Sequence, residues 1–497
     1  MKKIMYLFGF LLSLFASAQT TISGRVKNSK GRPIDLVNIY IKDVFDGSIT
    51  DNKGEFSFTT NTKGKAIIFV SSLGYISQEK EIAIGQENQL FDFVLIEATG
   101  KLDEIVISAG MFDASDRKKS SILKPLDIVT NPGANGDLYA ALATLPGVTP
   151  VGNETGLFVR GGEASETKTI IDGTLVASPF FSNVPDIPSR GRFDPFLFKG
   201  TLFSTGGYSA QYGQALSSVL VLNTNDMPRK SSYSFDINMA GMGASYTKVW
   251  KEKTAVLASV GYTNLSTLFS LVPQNKMWDT APNGTSASIG FRHRTVNGGL
   301  YKSFLQYNNS AIALNFKTTG SEAPNSTFSN SSKNVFWNNS FRGYLNDLWK
   351  VLLTGSFSFG EDKDQFNEYG SLEKDWLAQS RITLSRRVGK AQIRFGGEMQ
   401  LFKNEFKTNE DLTIIDNTLT ALYVESDMKF SEKLALRVGL RREQASVIDK
   451  SNIMPRLSLS YRLGRKNLLS FAYGHFYQTP QKEYVRKTTQ IDFESAT

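Results

Sequence analysis

From Arg229 to Thr497 the sequence keeps returning to a period of two residues, in runs such as "YSFDINMAGM", "TAVLASVGYT", "QIRFGGEMQL", "KLALRVGLRREQ" and "RLSLSYRLG". Successive side chains of a strand point to opposite faces, so a period of two sorts residues onto two surfaces. Leu434, Leu436, Val438 and Leu440 fall on one face, and Ala435, Arg437, Gly439 and Arg441 on the other. That is the apolar-out, polar-in dyad of a transmembrane barrel strand. A soluble sandwich alternates too. Runs of about ten residues, with Tyr461, Phe471 and Tyr473 near their ends, favour lipid on the apolar face.

The first residues supply an export address. Lys2-Lys3 is a basic start, Ile4 to Phe15 is an apolar core, and Ala16-Ser17-Ala18 is a small-x-small cleavage site. This is the plan of a secretory signal peptide over residues 1–18, which predicts a mature chain beginning at Gln19. The apolar core is shorter than the ~20 residues a spanning helix needs, so a membrane location implies a barrel. Without a Cys after the cleavage site, the mature N-terminus cannot carry a lipid as a lipoprotein's does.

Composition narrows the chemistry. Of 497 residues, 40% are hydrophobic and 12% aromatic, the range of a folded protein of more than one domain. The absence of Cys excludes disulfides, thiolate catalysis and Cys-based zinc or iron-sulfur sites. The net charge of +9 is scattered along the chain with no dense basic stripe, so nucleic acid is not an expected partner. The only histidines, His293 and His475, stand far apart and outside any H-E-x-x-H frame, and no phosphate loop or G-x-S-x-G elbow is present. The acidic pair Asp362 and Asp364 in "GEDKDQF" is expected in a solvated outer loop. The reading is of a non-enzyme with no metal site and no cofactor.

Residues 19–98 read as a small all-β module of seven or so strands, with Asn52-Lys53-Gly54 as one turn. The order of "GRV", "PIDLVNIYI", "TDNKGEFSF" and "SSLGY" resembles the carboxypeptidase-regulatory-like domains that precede outer-membrane transporters. The resemblance implies no peptidase activity, since zinc ligands are lacking.

Three later stretches resemble TonB-dependent receptors. In the linker, residues 99–110, an acidic pair leads an aliphatic run: Asp103, Glu104, Ile105, Val106 and Ile107 match the TonB box, an exposed segment that pairs strand on strand with the energy-coupling protein TonB. Over 111–228 the order is that of the family's plug domain. Leu138, Ala141, Leu142 and Leu145 have helical spacing before Pro146-Gly147. Arg160-Gly161-Gly162 then resembles the V-R-G-G turn, and Asp172-Gly173 the I-D-G hairpin turn. Gly206-Gly207 and Tyr212-Gly213, with Ser217-Ser218, resemble the third plug signature. The glycines are expected in tight turns, Asp172 is expected to cap its own turn, and Arg160 to anchor the plug to barrel carboxylates. None is expected to touch substrate.

The resemblance thus implies a mainly β protein: an N-terminal β-sandwich, an α+β plug, and over 229–497 part of an antiparallel transmembrane β-barrel. A plugged transporter barrel has 22 strands, which at ~10 residues each take roughly 220 residues. The 269 residues from Arg229 offer 12 to 14 plausible strands, with Ser431-Glu432-Lys433 as one short turn. The chain is therefore expected to stop within the barrel, and alone to expose open edges to lipid. The implied function is TonB-dependent uptake of a cargo across the outer membrane. The alternatives are a signal-transducing receptor, and an adhesin or structural barrel without active transport. The implied partners are TonB, outer-membrane lipid and a small-molecule, glycan or peptide cargo; a surface lipoprotein partner stays open.

Overall fold

The computed structural model describes residues 20–95 and 120–488, apart from short stretches within them. The signal segment and the Asp103 to Ile107 box lie outside the described residues.

The N-terminal module is built from β1 (Thr20–Asn28), β2 (Asn38–Ile41), β3 (Gly47–Ile49), β4 (Glu55–Thr60), β5 (Gly64–Ser71), β6 (Gln78–Ile84), β7 (Gln89–Leu90) and β8 (Phe93–Leu95). They form two sheets, one with β1 between β4 and the β7–β8 side, the other in the order β3-β2-β5-β6. In β4 the alternation is strict: Phe56, Phe58 and Thr60 are buried while Glu55, Ser57 and Thr59 face water. Ile22, Val26, Ile39, Ile41, Phe56, Phe58, Ile68 and Val70 share one core between the sheets, which makes the module a β-sandwich. At the Asp51 to Gly54 turn the Asp51 carboxylate accepts the Lys53 and Glu55 amides, both at 2.9 Å.

The second unit begins with β9 (Ser120–Leu123), α1 (Pro125–Val129), α2 (Leu138–Ala143), β10 (Val148–Thr149), β11 (Phe158–Val159), β12 (Thr167–Ile171), β13 (Thr174–Leu175), β14 (Phe198–Ser204) and β15 (Ser218–Thr224). Five of these strands form a mixed sheet in the order β13-β12-β15-β14-β9. The helix expected from the Leu138 spacing is α2. Its N-cap, Asp137, accepts the Tyr139 amide at 2.8 Å and the Ala140 amide at 2.9 Å, satisfying donors that a helix start leaves orphaned. Leu138, Tyr139, Ala141 and Leu142 are buried against the sheet.

Around this sheet run β16 (Ser232–Asn238), β17 (Gly241–Trp250), β18 (Thr254–Asn264), β19 (Met277–Arg294), β20 (Leu300–Phe316), β21 (Ser326–Tyr344), β22 (Trp349–Phe366), β23 (Tyr369–Val388), β24 (Ala391–Thr408), β25 (Leu412–Lys429), β26 (Leu434–Ala445), β27 (Lys450–Arg462) and β28 (Leu468–Gly474). These thirteen strands form one sheet in sequence order, all the pairings described being antiparallel. A helix, α3 (Ser266–Leu271), interrupts the connection from β18 to β19, and α4 (Lys482–Thr488) follows β28. In β26 the expected dyad holds residue by residue: Ala435, Arg437, Gly439 and Arg441 are buried, Val438 and Leu440 exposed. Strands β19–β25, of 17 to 20 residues each, exceed the ~10 residues needed to cross lipid.

The loop expected at "GEDKDQF" is instead the end of β22, paired with both β21 and β23. Asp362 and Asp364 share a face with Ser332 and Asn330, and the Asn330 amide donates to Asp364 at 2.7 Å.

Candidate functional site

The concave face of the thirteen-stranded sheet is polar, and the five-stranded sheet sits against it. Apolar contact gathers in a few patches: Phe304 of β20 and Phe336 of β21 join the plug core, with Phe193 edge-on to Phe336 at 5.8 Å, and Val184 packs with Leu314 of β20 and Phe328 of β21. The rest of the interface consists of charges and hydrogen bonds, in two groups.

The first group gathers around the Asp172-Gly173 turn between β12 and β13. Asp172 (φ 45°) and Gly173 (φ 95°) form a two-residue turn with both residues left-handed, a conformation that favours Asp or Asn followed by Gly. Contrary to the expectation from sequence, the Asp172 carboxylate does not cap this turn. It accepts the Thr224 amide at 3.1 Å and the buried Lys302 ammonium of β20 at 2.5 Å. Next to it, Asp226 takes Lys199 and Arg342 of β21, each at 2.7 Å. Burial alone would raise the Asp226 carboxyl, but Arg342, Lys302 and Lys199 outweigh it and hold it well below the usual carboxylate range. Asn338 donates to Thr174 Oγ1 at 2.7 Å, and Gln379 binds both backbone groups of Leu175.

The second group holds Tyr208 to Gln214, the third plug signature. Glu425 of β25 accepts the Ala210 amide at 2.7 Å and the Ser209 hydroxyl at 2.9 Å, and Glu443 of β26 accepts the Gln214 amide at 2.9 Å. These carboxylates are neutralised by Arg394, Arg437 and Arg441, while Glu398 bridges Arg381 and Arg441. Gly213 lies so close to this cluster that a Cβ would come within 1.8 Å of Glu443 Oε1. Tyr212 is buried, and Gly206 and Gly207 have φ of 147° and 65°.

Arg160 does not take the anchoring role expected of it. It is exposed, left-handed at φ 53°, with no carboxylate partner among the described residues. Gly161 follows at φ 82°, and a Cβ on Gly162 would meet Glu166 and Ser217. The anchoring charges come from Asp172 and Asp226 on one side and from Glu425 and Glu443 on the other. Their partners across the plug–strand contact lie 116 to 229 residues away, which leaves no local sequence signal.

Between the plug and the strands, a cavity of about 510 Å³ is lined by Lys168, Phe180, Phe181, Phe402, Gln214 and Thr479 among others. It lies toward the turns at 367–368 and 446–449, with Asp362 and Val447 on its wall. Lys168 has no hydrogen-bond or ion-pair partner among the described residues, and burial lowers its ammonium to about 8. Arg192 is buried beside it, its guanidinium over the Phe181 ring. The segment after β28 closes one side: Thr479 donates to Gln214, and Lys482 pairs with Asp375 at 2.5 Å and Glu373 at 2.6 Å. Among the described residues no group of His, Asp and Glu is placed to hold a metal ion.

Residues 22–107 match the family model described as CarboxypepD_reg-like domain. The chain is 30% identical over 187 residues to the TonB-dependent receptor SusC of Bacteroides thetaiotaomicron, covering 35% of this chain and 18% of that protein. It is 25% identical over 235 residues to the TonB-dependent receptor P39 of Formosa agariphila, covering 44% and 21%. Among solved structures, the ferric enterobactin receptor PfeA of Pseudomonas aeruginosa superposes with a TM-score of 0.54 at 15% identity, over 74% of this chain and 64% of that one. The outer membrane transporter YddB of Escherichia coli gives 0.57 at 12% identity, over 74% and 62%. The chain spans less than two thirds of the length of each. It is an outer-membrane chain that joins a carboxypeptidase-regulatory-like domain to the plug-and-barrel fold of the TonB-dependent receptors.

Proposed function

We propose that the protein works in TonB-dependent active uptake across the outer membrane, with the plug as the gate and the cavity around Lys168 as the place where cargo is held. The observation that carries this reading is a folded plug seated on the lumen wall through buried charges. Such a plug obstructs passive flow, and moving it requires work from outside the molecule. β9, the first plug strand after the Asp103 to Ile107 box, is the edge of its sheet and pairs only with β14. A pull transmitted through the box therefore reaches the plug at an edge strand. Arg160, Gly161, Gly162, Asp172, Gly173, Gly206, Gly207, Tyr212 and Gly213 act in this reading as plug structure, not as cargo ligands. The protein carries out no covalent chemistry; it binds, releases and gates.

The box is testable without knowing the cargo. TonB binding by strand addition needs backbone N–H donors, and Pro removes one and fixes φ. Ile105→Pro is expected to lower affinity for the TonB periplasmic domain at least tenfold while the far-ultraviolet circular dichroism stays unchanged. Equal affinity in the variant would place the box elsewhere. No TonB binding by the unmodified chain would remove the transport reading.

A further inference from the structure

We infer that the outer wall of β20–β24 carries a binding site for the phosphate of an outer-leaflet lipid headgroup. The argument starts from pairing register, because residues directly opposite one another across antiparallel strands share a face. One outward row reads Trp337, Phe357, Ala378, Leu401, a lipid-facing surface. The next reads Val335, Phe359, Trp376, Lys403, with the Lys403 ammonium 5.7 Å from the Trp376 ring, the mixed aromatic and basic character of a membrane interface.

One step further, the row Lys333, Glu361, Lys374, Glu405 alternates in sign. Here Glu361 is shared by three lysines at 3.7 to 3.9 Å, Lys333, Lys363 and Lys374, so cations exceed anions. The following row is Ala311, Ser331, Lys363, Leu372, Lys407, and it contains no carboxylate. The Lys363 side chain is 58% exposed, and the exposed Lys407 has no ion pair among the described residues.

Leu372 stands between these two lysines in register, and beside Lys363 on β20 and β21 the wall is hollow. Ala311, Ser331 and Gly370 are too small to fill it, and they line a groove of about 750 Å³ together with Lys363, Leu372 and Lys407; the one carboxylate in its lining, Asp364, accepts the Asn330 amide. A lysine is a compact point charge with three donors, suited to a phosphate, and the serine hydroxyls add neutral donors. The groove lies beyond the interfacial aromatics and is continuous with the lipid-facing rows, so a lipid whose tails lie along those rows brings its headgroup to the lysines. Acidic protein or nucleic acid would not need the contiguous apolar wall below.

The probe is phosphatidic acid, with diacylglycerol as its phosphate-free counterpart, titrated onto the detergent-solubilised full chain and counted by native mass spectrometry. The expected result is retention of phosphatidic acid and not of diacylglycerol, weakened on the order of tenfold in the double variant K363Q/K407Q and kept in K363R/K407R. Ser331→Trp fills the groove without touching charge and is expected to weaken binding as well, which decides the matter if the double Gln variant loses the circular dichroism of the parent chain. Phosphatidic acid binding equally to all variants would overturn the site. Displacement by inorganic phosphate at matching concentration would mark a free-anion site, and a co-purifying protein that blocks the lipid would mark a protein interface; either overturns the lipid assignment.

Discussion

Lys168 is a half-buried cation with no ion-pair partner among the described residues, and a charge drawn partly out of water without a partner is a cost to folding. Burial lowers its folded pKa to about 8, whereas a lysine in an unfolded chain titrates near 10.4. The unfolded state therefore binds more protons between those values, so stability rises with pH through that window. At neutral pH both states are protonated and the full penalty is present. Lys168→Gln is thus expected to melt above the parent chain at pH 7, with the gap closing as pH climbs past about 8. A gap independent of pH would show that Lys168 is paired in solution. The same substitution is expected to cost binding of any anionic cargo, which separates a cargo contact from a packing residue. At this scale the sequence was partly legible. The left-handed positions at Gly161 and Gly173 follow from the special freedom of glycine. The partner of Asp172 does not: Lys302 is 130 residues away, and only the folded barrel brings the pair together.

Strands were legible wherever one face meets lipid. Alternation is visible in β26 because Val438 and Leu440 face hydrocarbon while Arg437 and Arg441 face the plug. The end of β22 reads as loop because it lies beyond the lipid-facing rows: Glu361, Lys363 and Gln365 point out as Asp362 and Asp364 point in, so both faces are polar and the period disappears. A strand that continues into water loses its hydrophobic signature without losing its backbone ladder. The placement of the lipid-facing band can be measured on one strand. Ile382, outward on β23 and 44% exposed, lies in register with Leu353 and Gly397, whereas Lys374 lies outward beyond Trp376 on the same strand. Ile382→Arg is expected to destabilise the membrane-inserted barrel by ~2–4 kcal/mol, the cost of Arg near the bilayer midplane. Lys374→Gln is expected to change little, since a partly exposed pair at 3.8 Å from Glu361, in which Lys333 and Lys363 also share the carboxylate, is worth ~0–1 kcal/mol. Denaturant unfolding from lipid vesicles checks both, and equal effects would mean that Ile382 does not face lipid.

The whole chain divides into two compact units with different sources of stability. The N-terminal sandwich rests on its own apolar core of Ile, Val and Phe side chains, with no disulfide, since the chain has no Cys. The plug and the strands around it share a core through Phe304 and Phe336 and a network of buried charges, so they are expected to lose structure together. Two transitions should therefore appear on heating, and a substitution in one core should move one of them. Ile39 is 1% exposed between the two sheets of the sandwich. Ile39→Ala removes buried methyl groups and leaves a cavity, a loss of about 2–5 kcal/mol. For a domain of under a hundred residues each kcal/mol lowers the midpoint by roughly 4–8 °C. The expected outcome by calorimetry is a first transition lowered by about ten degrees or more, with the second transition unchanged. A single transition that shifts as a whole would show that the sandwich and the plugged barrel unfold as one cooperative body.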